Sequence, residues 1–432
     1  MKSENIKKKM KKILIATGIF PPDIGGPAIY SKKLAEYYAG QGMEITVVTY
    51  GSPQISESAY KIVSISRSLP VGIRQLLYYF RLFQESAGAR GILAFDSLGA
   101  GLPAVICGII LRKKVVIRLG GDFLWEKYVE NTGELITLKE FYARRKESYF
   151  PLLFRLIKWT LNHSSCVAFT TIMQRDMFVK HYRLTNPEIV LVENMLQKEE
   201  SVIGGLRDKN TLLWAGRFLK LKNLFFLIDV FSDLQKDNFD LKLKLIGDGP
   251  EKESVKKYIF QKGLSVAVLI HSGISGREIG QEIAKSWLCV LPSLSEISPN
   301  FALQCVSGGT PIILSSETGI RESFPELIYA NPSDRGDFVN KISSLLDDDN
   351  YEKYLSAIKS IKRWRSDAEV AEEFESLFQA KGLKVLSIGS DRNLFVSGSE
   401  AQERIKEYGK LFEELHIVVF STRKFEIRSS KS

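Results

Sequence analysis

The chain has 432 residues, of which 44% are hydrophobic and 25% charged, and a formal net charge of +10. That length allows two or three domains with substantial cores, and the balance is that of an ordinary globular protein, which excludes disordered and fibrous classes. The positive charge favours an acidic partner, either the phosphates of a small ligand or an anionic membrane; nucleic acid is the least supported, since no such module is recognisable and the basic residues are not interleaved with aromatics on one face.

Taken in order, the N-terminal Lys7-Lys-Lys-Met-Lys-Lys12 runs straight into a short apolar strand pattern without a cleavage-type segment, so a signal peptide is not expected. Strands are predicted at 13–17 and 44–49, joined by the Pro/Gly-rich loop 18–27 and a helix over 28–40 with Ile29, Leu34, Tyr37 and Tyr38 at helical spacing. Further strands are predicted at 61–65, 91–95, 114–118, 166–170 and 188–192. Alternation of short apolar runs with helical patterns is the signature of a parallel sheet covered on both faces. The most apolar run, Leu102 to Leu111, is about half the ~20 residues that a membrane span requires.

A polar, turn-rich stretch from Gln197 to Gly205 reads as a linker. A second alternating series follows, with strands predicted at 211–215, 241–246, 266–270, 288–291 and 311–314. In 223–234, Leu224, Leu227, Ile228, Phe231 and Leu234 fall on one helical face. Residues 357–380 look helical; beyond them a strand from Leu383, a Gly/Ser/Asp-rich loop, a helix over 400–414 and a strand at 416–420 make a βαβ unit. Two doubly wound halves facing each other create a cleft lined by loops at the carboxyl ends of their strands.

The chemistry-bearing residues fall on those loops. Trp214-Ala-Gly-Arg-Phe-Leu-Lys-Leu-Lys-Asn223 places Arg217 and Lys222 between an apolar strand and an amphipathic helix, where backbone N–H groups and the helix dipole favour an anion. Pro292-Ser-Leu-Ser-Glu296 places a carboxylate in a turn after a buried strand, with Gln304 eight positions on. Gly25 and Gly26 follow Pro21-Pro22 after the first strand, and Gly247-Asp-Gly-Pro250 ends another; without a Cβ, the backbone can approach a phosphate or sugar closely, although plain turns explain both as well. No Gly-x-Gly-x-x-Gly occurs near the first strand, which counts against a nicotinamide enzyme. Cys107, Cys166, Cys289 and Cys305 lack Cys-x-x-Cys spacing and the four histidines lie far apart, so buried reduced thiols and no metal site are expected.

Together with Lys12-Ile-Leu-Ile-Ala-Thr-Gly18 and Pro21-Pro-Asp-Ile-Gly-Gly26, these segments resemble the retaining GT-B glycosyltransferases, specifically glycosyltransferase family 4, over roughly residues 11–380. The resemblance implies an α/β GT-B fold: an acceptor-side Rossmann-like domain over 1–200, a nucleotide-sugar donor domain over 201–365, a closing helix over 366–382, and at 383–432 the start of a second glycosyltransferase-like unit. It implies transfer of a sugar from a nucleotide-sugar donor to a glycan or lipid-linked acceptor hydroxyl, with retention, with no cofactor and without a metal ion. Glu296, Arg217 and Lys222 would be the catalytic residues. Gly25, Gly26, Gly216, Arg217, Lys222, Gly247, Pro299, Asn300, Phe301 and Gln304 would bind the donor. Cations from the protein would meet the departing diphosphate, and Glu296 would hold hydroxyls of the transferred sugar.

Two departures stand out. Gln304 stands where the family has a second glutamate, leaving one acceptor oxygen for the ribose hydroxyls instead of two. Gly120-Gly121-Asp122 stands where many members carry a histidine, which makes Asp122 either an acceptor-side polar contact or a helix cap. Tyr142-Ala-Arg-Arg-Lys146 and 150–159 mix bulky apolar and basic residues, as a segment touching an anionic bilayer would, or as core helices with a solvated face. The expected setting is cytoplasmic, peripheral at the inner membrane face, in cell-envelope polysaccharide or glycoconjugate synthesis. The competing readings are a non-catalytic nucleotide-sugar-binding scaffold and a sugar-nucleotide epimerase of the same fold.

Overall fold

The computed structural model describes residues 12–23, 25–52, 59–197, 207–273, 276–379, 384–390, 392–409 and 414–420. The basic run before Lys12 and nearly all of the expected linker, 198–206, lie outside them. The chain divides into two compact units, Met1–Glu375 and Ser376–Ser432.

The first unit holds two α/β layers. In the amino-terminal one, strands β1 (Lys12–Ala16), β2 (Glu44–Tyr50), β3 (Lys61–Ile65), β4 (Gly91–Ala94), β5 (Lys114–Leu119), β6 (Cys166–Phe169) and β7 (Glu188–Leu191) alternate with helices α1 (Gly26–Gly40), α2 (Val71–Ser86), α3 (Gly101–Leu111), α4 (Phe123–Thr132), α5 (Leu138–Ala143), α6 (Pro151–His163) and α7 (Ile172–Tyr182). All pairings are parallel, in the order β3-β2-β1-β4-β5-β6-β7. The central strands are covered on both sides, and Ile13 to Ala16, Ile92 to Ala94 and Val167 to Phe169 are all buried. Their continuous apolar runs therefore carry no alternation.

The second layer has strands β8 (Asp208–Ala215), β9 (Lys242–Ile246), β10 (Val268–His271), β11 (Ser286–Leu291), β12 (Ile312–Ser315) and β13 (Ile328–Ala330). Its helices are α8 (Leu224–Asp237), α9 (Lys252–Gln261), α10 (Gly276–Lys285), α11 (Asn300–Ser307), α12 (Arg335–Ser344), α13 (Asp348–Lys359) and α14 (Asp367–Phe378). Its order is β10-β9-β8-β11-β12-β13, again parallel. Strand β13, three residues long, is an edge strand too short to show a period in sequence, and it went unforeseen. On α8, the five apolar residues at helical spacing are all buried, with Val230 beside them.

The strand order reverses between β1 and β4 in the first sheet and between β8 and β11 in the second. Loops leaving neighbouring strands on opposite sides of such a point splay apart and leave a crevice. The loops after β8 and β11 are 216–223 and 292–299, the two segments that carry Arg217, Lys222 and Glu296. The layers interpenetrate there: Leu221, Leu294 and Ile297 of the second are buried in the apolar cluster of the first. The backbone also crosses twice: Leu196 pairs with Arg365 in both hydrogen-bonding directions, and α14 returns to α1, where Tyr38 donates to the Ala371 carbonyl at 2.7 Å.

The second unit contributes β14 (Lys384–Gly389), α15 (Glu400–Gly409) and β15 (Glu414–Val419), with β14 and β15 paired in parallel. It is a single βαβ unit whose strands leave Leu386, Ile388, Val418 and Phe420 exposed.

Candidate functional site

The loop after β8 is held rigid by the loop after β9. Gly216 N–H donates to the Ile246 carbonyl at 3.0 Å and Phe218 N–H to the Asp248 carbonyl at 2.9 Å. Gly247 has φ 148°, and a Cβ there would lie 1.8 Å from the Gly216 carbonyl oxygen, so only glycine lets the two loops approach. Between these anchors Arg217 stands exposed, with no hydrogen-bond or ion-pair partner among the described residues. A short 3₁₀ turn, Lys220–Lys222, and Asn223 in the left-handed region (φ 59°) then lead into α8. The Asn223 amide donates to the Pro292 and Pro332 carbonyls at 3.2 and 3.0 Å, which fixes the start of α8 against the β11 loop.

That clamp brings the two motifs together. Lys222 Nζ lies 2.6 Å from Glu296 Oε1, and the Ser293 hydroxyl donates to the same oxygen at 2.7 Å. The Glu296 backbone is pinned to 317–319 by its N–H to the Glu317 carbonyl and by the Gly319 N–H to its own carbonyl, both at 2.9 Å. No partner of Oε2 is present among the described residues. The carboxylate thus arrives oriented, with one oxygen satisfied and the other available to a ligand.

Beyond Pro299, helix α11 starts at Asn300 with no side-chain cap, so its first N–H groups face the crevice uncapped. Gln304 is half-buried within α11, and its side-chain amide has no partner among the described residues. Across the crevice the N-terminus of α1 approaches, and the position a Cβ would take on Gly26 is 3.2 Å from Asn300 Nδ2. Gly25 is extended (φ 162°), and a Cβ on it would meet the Ile19 side chain at 2.6 Å. Gly26 and Asn300 are therefore close together, whereas Gly247 acts through Gly216.

Asp122 lines the recess between the layers. It is buried, its Oδ1 caps α4 by accepting from Trp125 N–H at 3.0 Å, and its Oδ2 accepts from the Tyr142 hydroxyl. Burial pushes its carboxyl above the usual carboxylate range, against those two donors. The helix cap is therefore present, and a further contact would have to share oxygens that already accept from Trp125 N–H and the Tyr142 hydroxyl. Tyr142 is correspondingly a core residue, not a membrane contact; on α6 only one face is exposed, including Leu152 and Trp159, while Ile157 and Leu161 are buried.

Several site residues escaped the sequence. Arg118, buried beneath Gly120, donates to Asn194 Oδ1 at 2.5 Å and stacks its guanidinium 3.9 Å from the Tyr30 ring centroid. Asn194 Nδ2 donates in turn to Asn300 Oδ1 at 3.2 Å. This chain ties the floor of the first sheet to the start of α11. Glu126, in the first turn of α4, joins Gly120, Gly121, Lys222, Glu296 and Ser298 around a recess of about 60 Å³ between the layers. Burial pushes its carboxyl up to about 7, opposed by Lys222 and Arg217 and reinforced by Asp122 and Glu296. The residue itself remains exposed. The available signal was its spacing from Asp122: a cap at Asp122 starts a helix whose first turn carries residue 126.

Among the described residues, no group of three or more His, Cys, Asp or Glu is placed to hold a metal ion, and no helix is long and apolar enough to cross a membrane. All four cysteines are buried.

Residues 197–364 match the profile of the family described as glycosyl transferases group 1. An uncharacterised glycosyltransferase of Methanocaldococcus jannaschii is 23% identical over 397 residues, covering 85% of this chain and 98% of that one. Among solved structures, Anabaena HepE in complex with UDP and glucose superposes with a TM-score of 0.66 at 14% identity, over 85% of this chain and 98% of HepE. WaaG, a glycosyltransferase involved in lipopolysaccharide biosynthesis, superposes with a TM-score of 0.64 at 13% identity, over 84% and 98%. The fold is GT-B, with two facing parallel-sheet Rossmann-like layers.

Proposed function

We propose that this glycosyltransferase, which carries a group 1 domain on a GT-B fold, moves a sugar with retention and without a metal ion from a nucleotide-sugar donor to the hydroxyl of a glycan or lipid-linked acceptor. The observation that carries the reading is the convergence of Arg217, the Lys222–Glu296 pair and the uncapped start of α11 on one crevice, opposite Gly25 and Gly26. Arg217 and Lys222 supply the positive charge that a departing diphosphate needs, and lysine's three donors let it keep Glu296 while meeting phosphate. Glu296 Oε2 accepts from hydroxyls of the transferred sugar, while Pro299, Asn300 and Phe301 hold the diphosphate with backbone N–H groups and Gln304 takes one ribose hydroxyl. A diphosphate oxygen receives the acceptor's proton, as in the retaining enzymes that the chain resembles.

The GT-B neighbour HepE was solved with UDP, which makes UDP-sugars the first donors to try. WaaG's part in lipopolysaccharide biosynthesis suits the envelope setting proposed here. That setting is cytoplasmic, at the inner membrane face. Its support is a set of exposed apolar side chains, Val71, Ile73, Leu76, Leu77 and Phe80 on α2 and Ile109 and Ile110 on the adjoining α3, with Arg81, Arg112 and Arg155 exposed on α2, after α3 and on α6. Exposed apolar side chains together with arginines fit an anionic bilayer.

The direct test is product analysis. The protein is incubated with UDP-, GDP- and ADP-hexoses and simple alkyl glycosides in EDTA, and the anomeric configuration of the new bond is read by NMR. An α-linked product from an α-linked donor, formed in EDTA, is expected; an inverted product or an absolute requirement for a divalent ion overturns the reading.

A further inference from the structure

The recess at the layer boundary is lined by one cation, Lys222, and by the carboxylates Asp122, Glu126 and Glu296. Lys222 comes from the β8 loop, and Glu296 and Ser298 from the β11 loop. Gly120, Gly121 and Glu126 come from the β5 loop and α4. The Glu126 carboxylate folds back over the β5 loop: a Cβ on Gly121 would lie 2.5 Å from Oε1, so the missing side chain is the space that the carboxylate fills. Among the described residues it has no hydrogen-bond or ion-pair partner. An unpaired carboxylate seated over a glycine, in the same recess as the Lys222–Glu296 pair, is free to meet a ligand there.

Resting on the glycosyl-transfer reading, we propose that Glu126 is a catalytic residue whose ionised carboxylate stabilises the positive charge that develops on the transferred sugar ring as its bond to the nucleotide breaks. In that step the bond from sugar C1 to the diphosphate oxygen breaks and its electron pair leaves with the diphosphate, which meets Arg217 and Lys222. A new bond forms from C1 to the acceptor oxygen, or to water in hydrolysis, and that oxygen's proton passes to the diphosphate. Glu126 neither gains nor loses a proton. The transition state carries an anion growing beside the cations and a cation growing at the ring, and a carboxylate in the same recess answers the second charge as Lys222 and Arg217 answer the first. Preoriented charge of this kind acts on kcat more than on donor affinity, because the ground-state ring is neutral.

The charged groups facing Glu126 are Lys222 and Arg217 from the β8 loop, Glu296 from the β11 loop, and Asp122 at the head of its own helix. Their net effect with burial is a carboxyl that ionises at about 7. Turnover should therefore rise as pH increases through about 7.

The experiment measures UDP release from UDP-glucose, with water and with alkyl glycosides as acceptors, from pH 5.5 to 8.5, alongside the melting shift caused by UDP. GDP- and ADP-glucose replace it if they are the better ligands. Glu126→Gln should keep the nucleotide-induced shift, lose on the order of 10²–10³ in kcat and lose the rise through about 7. Glu126→Asp should recover part of the rate with a displaced limb. Gly121→Ala, which keeps every charge but takes the carboxylate's space, should slow release without altering the shift. Glu126→Gln turning over within a few-fold of the unaltered protein, with the same pH limb, overturns the proposal. Loss of the nucleotide shift in Glu126→Gln would assign the residue to donor binding and overturn it too. A protein that shows neither shift nor release with any donor fails at the glycosyl-transfer reading itself, a separate outcome that removes the proposal with it.

Discussion

Lys222 Nζ and Glu296 Oε1 stand 2.6 Å apart, joining the turn before α8 to a residue 74 positions later, in the loop after β11. Their side chains are 20% and 13% exposed, so neither charge is well solvated without the other. Lys222→Met should leave a crowded carboxylate held only by Ser293, and lower stability by roughly 1–3 kcal/mol, less than for a fully buried pair. The same variant should lower kcat about 100-fold or more by removing a cation from the leaving group. Denaturant midpoints and initial rates separate the two effects; unchanged rates in a folded variant would remove Lys222 from the mechanism.

Gln304 has no side-chain partner among the described residues, although it lies in α11 one turn beyond the helix's uncapped start. Gln304→Glu adds a second acceptor oxygen and a charge, and should tighten nucleotide binding by about 1–1.5 kcal/mol, roughly five- to tenfold in Kd by calorimetry. The unaltered protein should already turn over donor. Activity appearing only after Gln304→Glu would favour the non-catalytic scaffold.

Glu126 also leaves a thermodynamic signature. Its folded-state carboxyl, raised by burial to about 7, holds its proton more tightly than in the unfolded chain. Its contribution to stability is therefore fully present below the unfolded carboxylate range and fades as pH rises through about 7. Glu126→Gln should melt higher than the unaltered protein at pH 8 and equally at pH 4. Equal melting at both would show that the carboxyl titrates normally.

Gly247→Ala must displace the Gly216 carbonyl, which a Cβ would approach to 1.8 Å at φ 148°. A loss of about 3 kcal/mol or more is expected, with weakened nucleotide binding, because Arg217 rides on the displaced loop. Gly263→Ala, also in the left-handed region but with no heavy atom within 4 Å of its Cβ position, is the control that isolates backbone strain from the clash.

The α2 face predicts membrane attachment. Leu76→Ser with Phe80→Ser alters residues 71% and 53% exposed, so folding should be untouched. Sedimentation with phosphatidylglycerol vesicles should fall several-fold in the double variant, and with phosphatidylcholine vesicles it should be weak for both proteins. Equal sedimentation of the double variant would place the contact elsewhere.

The sequence made the parallel layers legible because central strands such as Ile13 to Ala16 are buried on both faces and read as unbroken apolar runs. It also made Arg217, Lys222 and Glu296 legible, because loops at a strand-order reversal concentrate glycine, proline and charge. Glu126 was not legible. A glutamate in a helix's first turn is ordinary, and only the fold reveals that α4 aims it over Gly121 toward a lysine almost a hundred residues away. Asp122 was ambiguous for the same reason, since a cap and a ligand contact need the same carboxylate. The α2 stripe of Ile73, Leu76, Leu77 and Phe80 has the spacing of a core face, and periodicity cannot say whether the facing layer exists. Tyr142 was ambiguous as well: flanked by basic residues it fits a membrane-touching segment or a core helix, and its burial beside Asp122 and Tyr182 selects the core helix.

The central claim is that the crevice binds a nucleotide sugar through Arg217 and Lys222. A thermal-shift panel of UDP, GDP, ADP and their sugar conjugates, run on the unaltered protein and on an Arg217→Ala, Lys222→Ala double variant, tests it most directly. A ligand that binds only the folded state at a hundred times its Kd adds about 2.7 kcal/mol. The account predicts a base-selective rise in Tm that the double variant loses. A rise of equal size in both proteins, or none with any nucleotide, would contradict it.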